Sequence, residues 1–353
     1  MTMDIWVGTY TDSTAAFQGQ GAGIYAVRFD PATGAFGPPD LRARCRNPSW
    51  IHTSPDRRHL FAVQESFAKG DAALLAFARS ETGQLEPSAP TPIPGDAPCH
   101  LAFDPIHNRL ASAQYGTGDV TLCQFTGDGL AVTAQIDSTG PDYGHGFAPG
   151  PDAERQEGPH AHFVHFTDGG SVLHVVDLGA DRIFSHRLDP AGRVVDSAAC
   201  AAPAGSGPRH LAIAGDAQRA FALGELDETL LGLSRDGLGW RHETTQPAFA
   251  DGPTQSGAAA AIRFSPDERF LYVSGRRQNR ITAFDRAGVP LGTGPSGGDF
   301  PRDFIITSDG RWCIVANQMS NAITSIARDP DTGMLGPMAH ECAIGSPVSV
   351  LEV

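Results

Sequence analysis

Residues 155–164 read Arg-Gln-Glu-Gly-Pro-His-Ala-His-Phe-Val, placing a carboxylate and two histidines directly before an apolar run. Alternate residues of an extended chain share a face, so His160 and His162 are geometrically able to chelate. A zinc or iron site also wants a third ligand, often a carboxylate, and no Cys, His, Asp or Glu spacing supplies one. No metal is therefore expected, and Glu157 and His160 are left as candidates for moving a proton. Four further stretches carry chemistry: Arg209 and His210 in GPRH, Glu225 in ELD, Arg276 after an apolar run, and Arg302 in PRDF. Attack of water on an ester carbonyl needs a base for the water, a cation for the developing oxyanion and an acid for the departing alkoxide. Glu and His supply the proton transfers and the arginines the positive charge. Arginines packed near the carboxylates would keep them ionised. No Walker loop is present, and GQGAG at 19–23 precedes a strand, where it reads as a hairpin loop.

Such residues need a scaffold that brings distant stretches together. Glycine (41) and proline (27) are abundant in the 353 residues. Short apolar runs alternate with turns such as SPDRRH, FTDGG, SPDER and TSDGR, which is an all-β pattern. A unit recurs: a proline-marked turn, a strand, an Asp/Gly turn, a second strand, a polar loop and a third strand. Its copies start near Asn47, Ala97, Gly158, Gly207, Ser256 and Phe300. Prolines 48, 98, 159, 208, 301 and 347 mark the turns, and Gly257 falls near the corresponding place in the fifth copy. A period mostly in the forties is that of a propeller blade. The last copy is cut to SPVSVLEV, and DIWVGTYTDS with GIYAVRFDPATG at the start supplies the missing strands. The expected fold is therefore a single seven-bladed β-propeller over residues 1–353, its last blade closed by N- and C-terminal strands. The Gly/Pro-rich stretch 139–158 reads as an extended loop over one face.

In a propeller blade, the start of the inner strand and the end of the second strand lie at one mouth of the central channel. Counting from each marker proline aligns His160 with Cys99, Arg209 and Arg302. The second-strand ends give Glu65, Tyr115, Leu178, Glu225, Arg276, Gln318 and Tyr10. His160, Arg209, Glu225 and Arg276 are thus expected together as the reacting group, with Glu157, His162, His210, Tyr115 and Arg302 contacting substrate. His165, His174 and His186 fall on later strands and are expected to be packed or at the surface.

The net charge of −14 offers no basic stripe, which argues against nucleic acid and anionic membranes as partners. No apolar run reaches the roughly 18 residues of a membrane span, and the first residues lack the pattern of a signal peptide, so a cytoplasmic location is expected. Six scattered cysteines without a C-x-x-C pair read as reduced thiols. Lys69 is the sole lysine, so fixed positive charge comes from arginine, which grips carboxylate or phosphate in a planar, bidentate way.

The stretches VGTYT (7–11), NPSW (47–50), PCHLAFDP (98–105), RQEGPHAH (155–162), DLGADRI (177–183), GPRHLA (207–212), ELD (225–227), SPDERFLYVSGR (265–276) and PRDF (301–304) together resemble the propeller-type lactonase family. That family includes bacterial 6-phosphogluconolactonase and carboxy-cis,cis-muconate cyclase. The resemblance implies seven blades and an active site lined by His160, Arg209, Glu225 and Arg276, with no cofactor. It implies a small anionic lactone as substrate, 6-phosphogluconolactone of the pentose phosphate pathway above all. Glu225 or His160 would activate water, and Arg209 and Arg276 would hold the lactone oxygen or the anionic group. A muconate-type cycloisomerase would use the same residues in the other sense, and a non-catalytic protein-binding propeller would use none of them. Gly224 and Gly275 depart from the family, which often has Asn at both places, and the loss of two amides is expected to widen the site or change what it grips. For an enzyme of this kind, Arg209→Ala and Glu225→Gln are expected to abolish turnover with little change in melting temperature.

Overall fold

The structure, a computed structural model, describes residues 2–14, 18–140, 148–254 and 257–353. Ser256 of the fifth copy and residues 141–147 of the long insert lie outside the described residues. Seven antiparallel sheets of four or five strands follow one another in chain order. Blade 1 runs from Ile51–Thr53 outward through His59–Gln64 and Ala73–Arg79 to Leu85–Pro87 and Thr91–Pro92. Blades 2 to 6 each contain four strands, with inner strands Pro98–Asp104, Ala161–Thr167, Pro208–Ile213, Ala259–Phe264 and Pro301–Ile306. Blade 7 is composite. The C-terminal strand Pro347–Glu352 is innermost and pairs with Met3–Thr9 in the register Ile5↔Glu352 to Gly8↔Ser349. The N-terminal residues thus supply the outer strands of a sheet whose inner strand comes from the other end of the chain, which closes the ring without a free inner edge.

Hydrophobic residues hold the ring at the blade faces. The second strands are buried on both sides, as in Val172–Asp177 and Trp312–Asn317, so their sequences read as continuous rather than alternating apolar runs. Among the described residues, seven apolar clusters sit one at each boundary between neighbouring blades. The closing boundary packs Trp6, Ile24 and Ala26 of blade 7 against Ile51, Leu60, Leu75 and Phe77 of blade 1. His174 and His186 are fully buried inside blade 3, whereas His165 lies at the surface.

The mouth is positioned by a repeated backbone device. The amide after each second strand donates to one carbonyl before each inner strand: Glu65 to Asn47, Tyr115 to Ala97, Leu178 to His160, Glu225 to Gly207, Arg276 to Ala258, Gln318 to Phe300 and Tyr10 to Ser346. Five of these acceptors, Asn47, Ala97, Gly207, Phe300 and Ser346, have positive φ, the turn that swings the chain from the channel rim into the inner strand. The strand pairs Pro98↔Gln114, Ala161↔Asp177, Pro208↔Gly224, Ala259↔Gly275 and Pro301↔Asn317 fix the same alignment. Two sequence expectations change. The fifth copy's marker position is Ala259, not Gly257. In blade 3 it is Ala161, not Pro159, so His162 rather than His160 matches Cys99, Arg209 and Arg302. The physical cause lies in Asp177, whose Oδ1 accepts the His160 N–H at 2.8 Å and the Ala180 N–H at 2.8 Å. A side-chain carboxylate there does the work that a left-handed residue does elsewhere.

Candidate active site

Glu225 is the centre of the charged cluster. It follows the second strand Arg219–Gly224 of blade 4 and is 2% exposed. Arg209 Nε lies 2.9 Å from its Oε2, and Arg276 Nη2 and Arg155 Nη2 lie 3.0 and 2.7 Å from its Oε1. Burial by itself would raise the Glu225 pKa, but the Arg276, Arg155 and Arg209 guanidiniums outweigh it and hold the carboxyl well below the usual range. Burial, with Arg276 and Arg302 nearby, pushes the Arg209 guanidinium down, and burial does the same for Arg276. Arginine keeps its charge through such a shift at neutral pH.

Both buried arginines are also tied to backbone. Arg209 Nη1 donates to Ala260 O at 2.6 Å, and Arg276 donates from Nε to Ala258 O at 3.0 Å and from Nη2 to Ala259 O at 3.3 Å. Arg209 Nη2, Arg276 Nη1 and Arg155 Nη1 have no hydrogen-bond partner among the described residues, and none is a buried orphan, so these donors face the open mouth.

Arg155 comes from the insert, and sequence reasoning passed over it. The insert's described end folds back on itself, with Asp152 Oδ1 accepting the Glu154 and Arg155 amides at 3.0 and 3.1 Å. Gln156 is fully buried and donates to Leu178 O at 3.0 Å. Arg155 is thereby held across the mouth, where its Nε donates to Tyr115 Oη at 3.0 Å while Nη2 pairs with Glu225. Its only sequence signal was its place in the RQEGPHAH motif, because an insert has no register in the repeat.

Tyr115 links this cluster to the histidine. Its ring stacks on His160 with centroids 4.5 Å apart and planes 12° from parallel. His160 Nδ1 lies 2.6 Å from Tyr115 O, and Nε2 lies 3.2 Å from Glu157 Oε1. A carbonyl oxygen only accepts, so Nδ1 carries a proton in either charge state and Nε2 is the nitrogen that gains and loses one. The Glu157 side chain is 57% exposed and free to turn, and its pKa is lowered, burial opposing and its own backbone amide and His160 favouring the charge. His160, Arg209, Glu225, Arg276, Tyr115 and Glu157 are therefore brought together, joined by Arg155.

His162 and His210 lie deeper. With Trp50, His100 and Phe163 they form an aromatic floor in the channel: Trp50–His100 centroids are 4.1 Å apart, His100–Phe163 4.2 Å and His162–His210 5.4 Å. Arg209 Nη1 donates to His210 Nε2 at 3.0 Å. Burial, aided by Arg209, pushes the pKa values of His162 and His210 well below the ordinary histidine value, so both are neutral. His210 supports the arginine from beneath. Among the described residues no group of three or more His, Cys, Asp or Glu side chains is arranged to hold a metal ion.

Arg302 occupies the side of the mouth formed by blades 6, 7 and 1. Its Nη2 donates to Tyr10 Oη at 2.8 Å, and Tyr10 donates in turn to Glu65 Oε1 and Oε2 at 3.0 and 2.9 Å. Gly224 and Gly275 do not widen the site. A side chain at 224 would run into Asp227 and the Ser206 carbonyl, and one at 275 into Gln278 and the Phe249 ring at 2.6 Å. Both positions face the packed corners of their own blades rather than the mouth.

The chain has relatives among known proteins. A 6-phosphogluconolactonase of Bacillus subtilis (strain 168) is 27% identical over 98% of this chain and 97% of its own length. One of Formosa agariphila is 27% identical over 98% of each chain. The solved structure of a periplasmic gluconolactonase of Pseudomonas aeruginosa superposes with a TM-score of 0.89 at 28% identity, covering 100% of this chain and 99% of that one. The family described as "Lactonase, 7-bladed beta-propeller" matches residues 4–352. The chain belongs to the seven-bladed β-propeller lactonase family.

Proposed function

We propose that this protein hydrolyses an anionic sugar lactone, with 6-phosphogluconolactone, between the two oxidative steps of the pentose phosphate pathway, as its substrate. The observation that carries the reading is the convergence of Arg155, Arg209 and Arg276 on one buried carboxylate, beside a histidine whose Nδ1 is committed to a carbonyl. That group carries two net positive charges, and each arginine keeps a donor open to the mouth. The relatives named 6-phosphogluconolactonase support the substrate class.

In this reading His160 Nε2 takes a proton from water as the water attacks the lactone carbonyl. Imidazolium formed there is stabilised by Glu157 and returns the proton to the ring oxygen as the C–O bond breaks. Open donors of Arg209 and Arg276 hold the oxyanion, and Arg155 adds charge for the substrate's anionic group. Glu225 is a poor base, because three guanidiniums lower its proton affinity. Its role is to hold those guanidiniums in place. A positioned base contributes about 10²–10⁴-fold and an oxyanion donor about 10²–10³-fold.

The test is proton release above spontaneous hydrolysis, measured on lactones with and without phosphate. Acceleration greatest for the phosphorylated sugar lactone is expected. No acceleration on any lactone would overturn the reading, and conversion of a carboxymuconate to its lactone would replace it with the cycloisomerase.

A further inference from the structure

The sequence motifs VGTYT and NPSW are not used by the chemistry proposed above, yet they build the other half of the mouth. A pocket of about 210 Å³ opens where blade 7 meets blade 1, lined by Tyr10, Asp12, Asn47, Glu65, Ser66 and Phe67, among others. Asn47 fixes its walls. Its Oδ1 accepts the Thr11 and Asp12 amides at 2.9 and 3.0 Å, and its Nδ2 donates to Glu65 O at 3.0 Å. The left-handed turn at Asn47 and the closing blade are therefore fastened to each other directly beneath the pocket.

The charge here differs from that around Glu225. Three arginines share Glu225, which leaves that side cationic. On this side Arg302 and Glu65 are both present and joined through Tyr10 Oη rather than by a direct ion pair. Arg302 stands beside the pocket lining, behind Tyr10 Oη, where its charge offsets that of Glu65, and the lining residues Asp12 and Arg46 pair with each other, so this side presents opposed charges rather than a cationic cluster. Among the described residues, a single hydroxyl is the only donor that either Glu65 oxygen receives, although a carboxylate has about four acceptor sites. Arg302 Nε and Nη1 have no partner among the described residues and are not buried orphans. Phe67, 64% exposed, gives the rim an apolar ring with nothing packed over most of it. Open carboxylate acceptors, open guanidinium donors and an aromatic face suit a chain of hydroxyl groups, each of which both donates and accepts.

We propose that Tyr10, Glu65 and Arg302 form a polyol-recognition subsite: Glu65 accepts hydrogen bonds from substrate hydroxyls, Arg302 donates to their oxygens, and Tyr10 holds the two in register. The inference rests on the lactonase reading for which molecule arrives, and it assigns the hydroxylated part of that molecule to this pocket and the anionic part to the Glu225 arginines. It makes the pocket the source of discrimination between sugar lactones and unsubstituted ones.

The test uses binding, so that it does not depend on turnover. Calorimetric titration of the full chain with gluconate, 6-phosphogluconate and hydroxyl-free hexanoate is compared between wild type, Glu65→Gln and Tyr10→Phe, with melting curves recorded for each. Hydrogen bonds to a charged group contribute about 1.5–3 kcal/mol, so Glu65→Gln is expected to weaken gluconate and 6-phosphogluconate roughly ten- to hundredfold while changing hexanoate less than about twofold. Tyr10→Phe, which keeps the ring and removes only the hydroxyl, is expected to weaken the same two ligands to a smaller extent. Equal losses for hydroxylated and hydroxyl-free ligands, unchanged gluconate binding in both variants, or no gluconate binding by wild type would each overturn the subsite. Selective gluconate binding by a protein that accelerates no lactone hydrolysis would overturn the lactonase reading and leave the subsite standing.

Discussion

Replacing Glu225 with glutamine removes one negative charge and keeps nearly the same shape, so it tests what that charge holds. The sequence leaves Glu225 and His160 as alternative bases, and expects loss of the Glu225 charge to stop turnover with little change in stability. The structure argues otherwise. Arg209 and Arg276 are 3% and 8% exposed, and Glu225 is the carboxylate within ion-pair distance of either among the described residues. Removing one partner of a buried ion pair costs about 3–5 kcal/mol, because the remaining charge stays out of water without compensation. Arg155, about a third exposed, adds little to that figure. Unfolding entropy of about 2.1 cal/mol/K per residue makes such a loss a fall of roughly 4–7 °C in melting temperature for a chain of this length. Calorimetry of wild type and Glu225→Gln, read with steady-state kinetics, measures both effects. The expected result is a lower melting temperature together with a higher KM and a lower kcat, since misplaced arginines harm both binding and the oxyanion. An unchanged melting temperature with turnover abolished would refute the argument and restore Glu225 as the base.

Three further outcomes follow from the same geometry. His160→Gln is expected to lower kcat about 10²–10⁴-fold with KM nearly unchanged, measured by steady-state kinetics, and an unchanged kcat would remove His160 from the proton transfers. His100, His162, His174, His186 and His210 are buried and their pKa values are lowered, first of all by burial, so below about pH 6.5 the unfolded chain binds more protons than the folded one and stability falls as pH falls. Urea midpoints should therefore drop between pH 7.5 and 5.5, and a flat profile would contradict the neutral assignment. Gly275→Asn is expected to destabilise the fold by about 1–3 kcal/mol through overpacking against Phe249 and Gln278, measured by urea unfolding, while leaving the ranking of lactone substrates as in wild type.

The blades were legible because each imposes the same local demands: apolar strands, an Asp/Gly turn, and a turn before the inner strand. The composite seventh blade could be read for the same reason, since SPVSVLEV lacks partners that VGTYT and GIYAVRF provide. The third blade's alignment was not legible, because proline marks the turn by habit and Asp177 performs it by hydrogen bonding. Pro159 therefore looked like the marker while Ala161 holds the position. Arg155 was hidden for a different reason. A loop inserted into a repeat inherits no position from it, and where its side chains land depends on how the loop packs, here on the buried Gln156. The glycines before Glu225 and Arg276 were misread because strand alternation turns their side-chain positions away from the residues that follow them.

The fifth copy explains why the cluster can exist where it does. Residues 257–261 are Gly-Ala-Ala-Ala-Ala, with no marker proline and no side chain larger than a methyl, which looks like a degenerate repeat. In the structure the carbonyls of Ala258, Ala259 and Ala260 are the acceptors for Arg276 and Arg209. A guanidinium can approach main-chain carbonyls from the channel only if no side chain stands in front of them. Two adjacent buried arginines repel each other, and a single carboxylate cannot satisfy all their donors. Backbone carbonyls accept Arg209 Nη1 and Arg276 Nε and Nη2 without adding negative charge that would cancel the field at the mouth. The erosion of the repeat in blade 5 and the arginines of blades 4 and 5 are thus one feature: the alanines clear the backbone, the backbone fixes the guanidiniums, and the cluster keeps its net positive charge facing the channel.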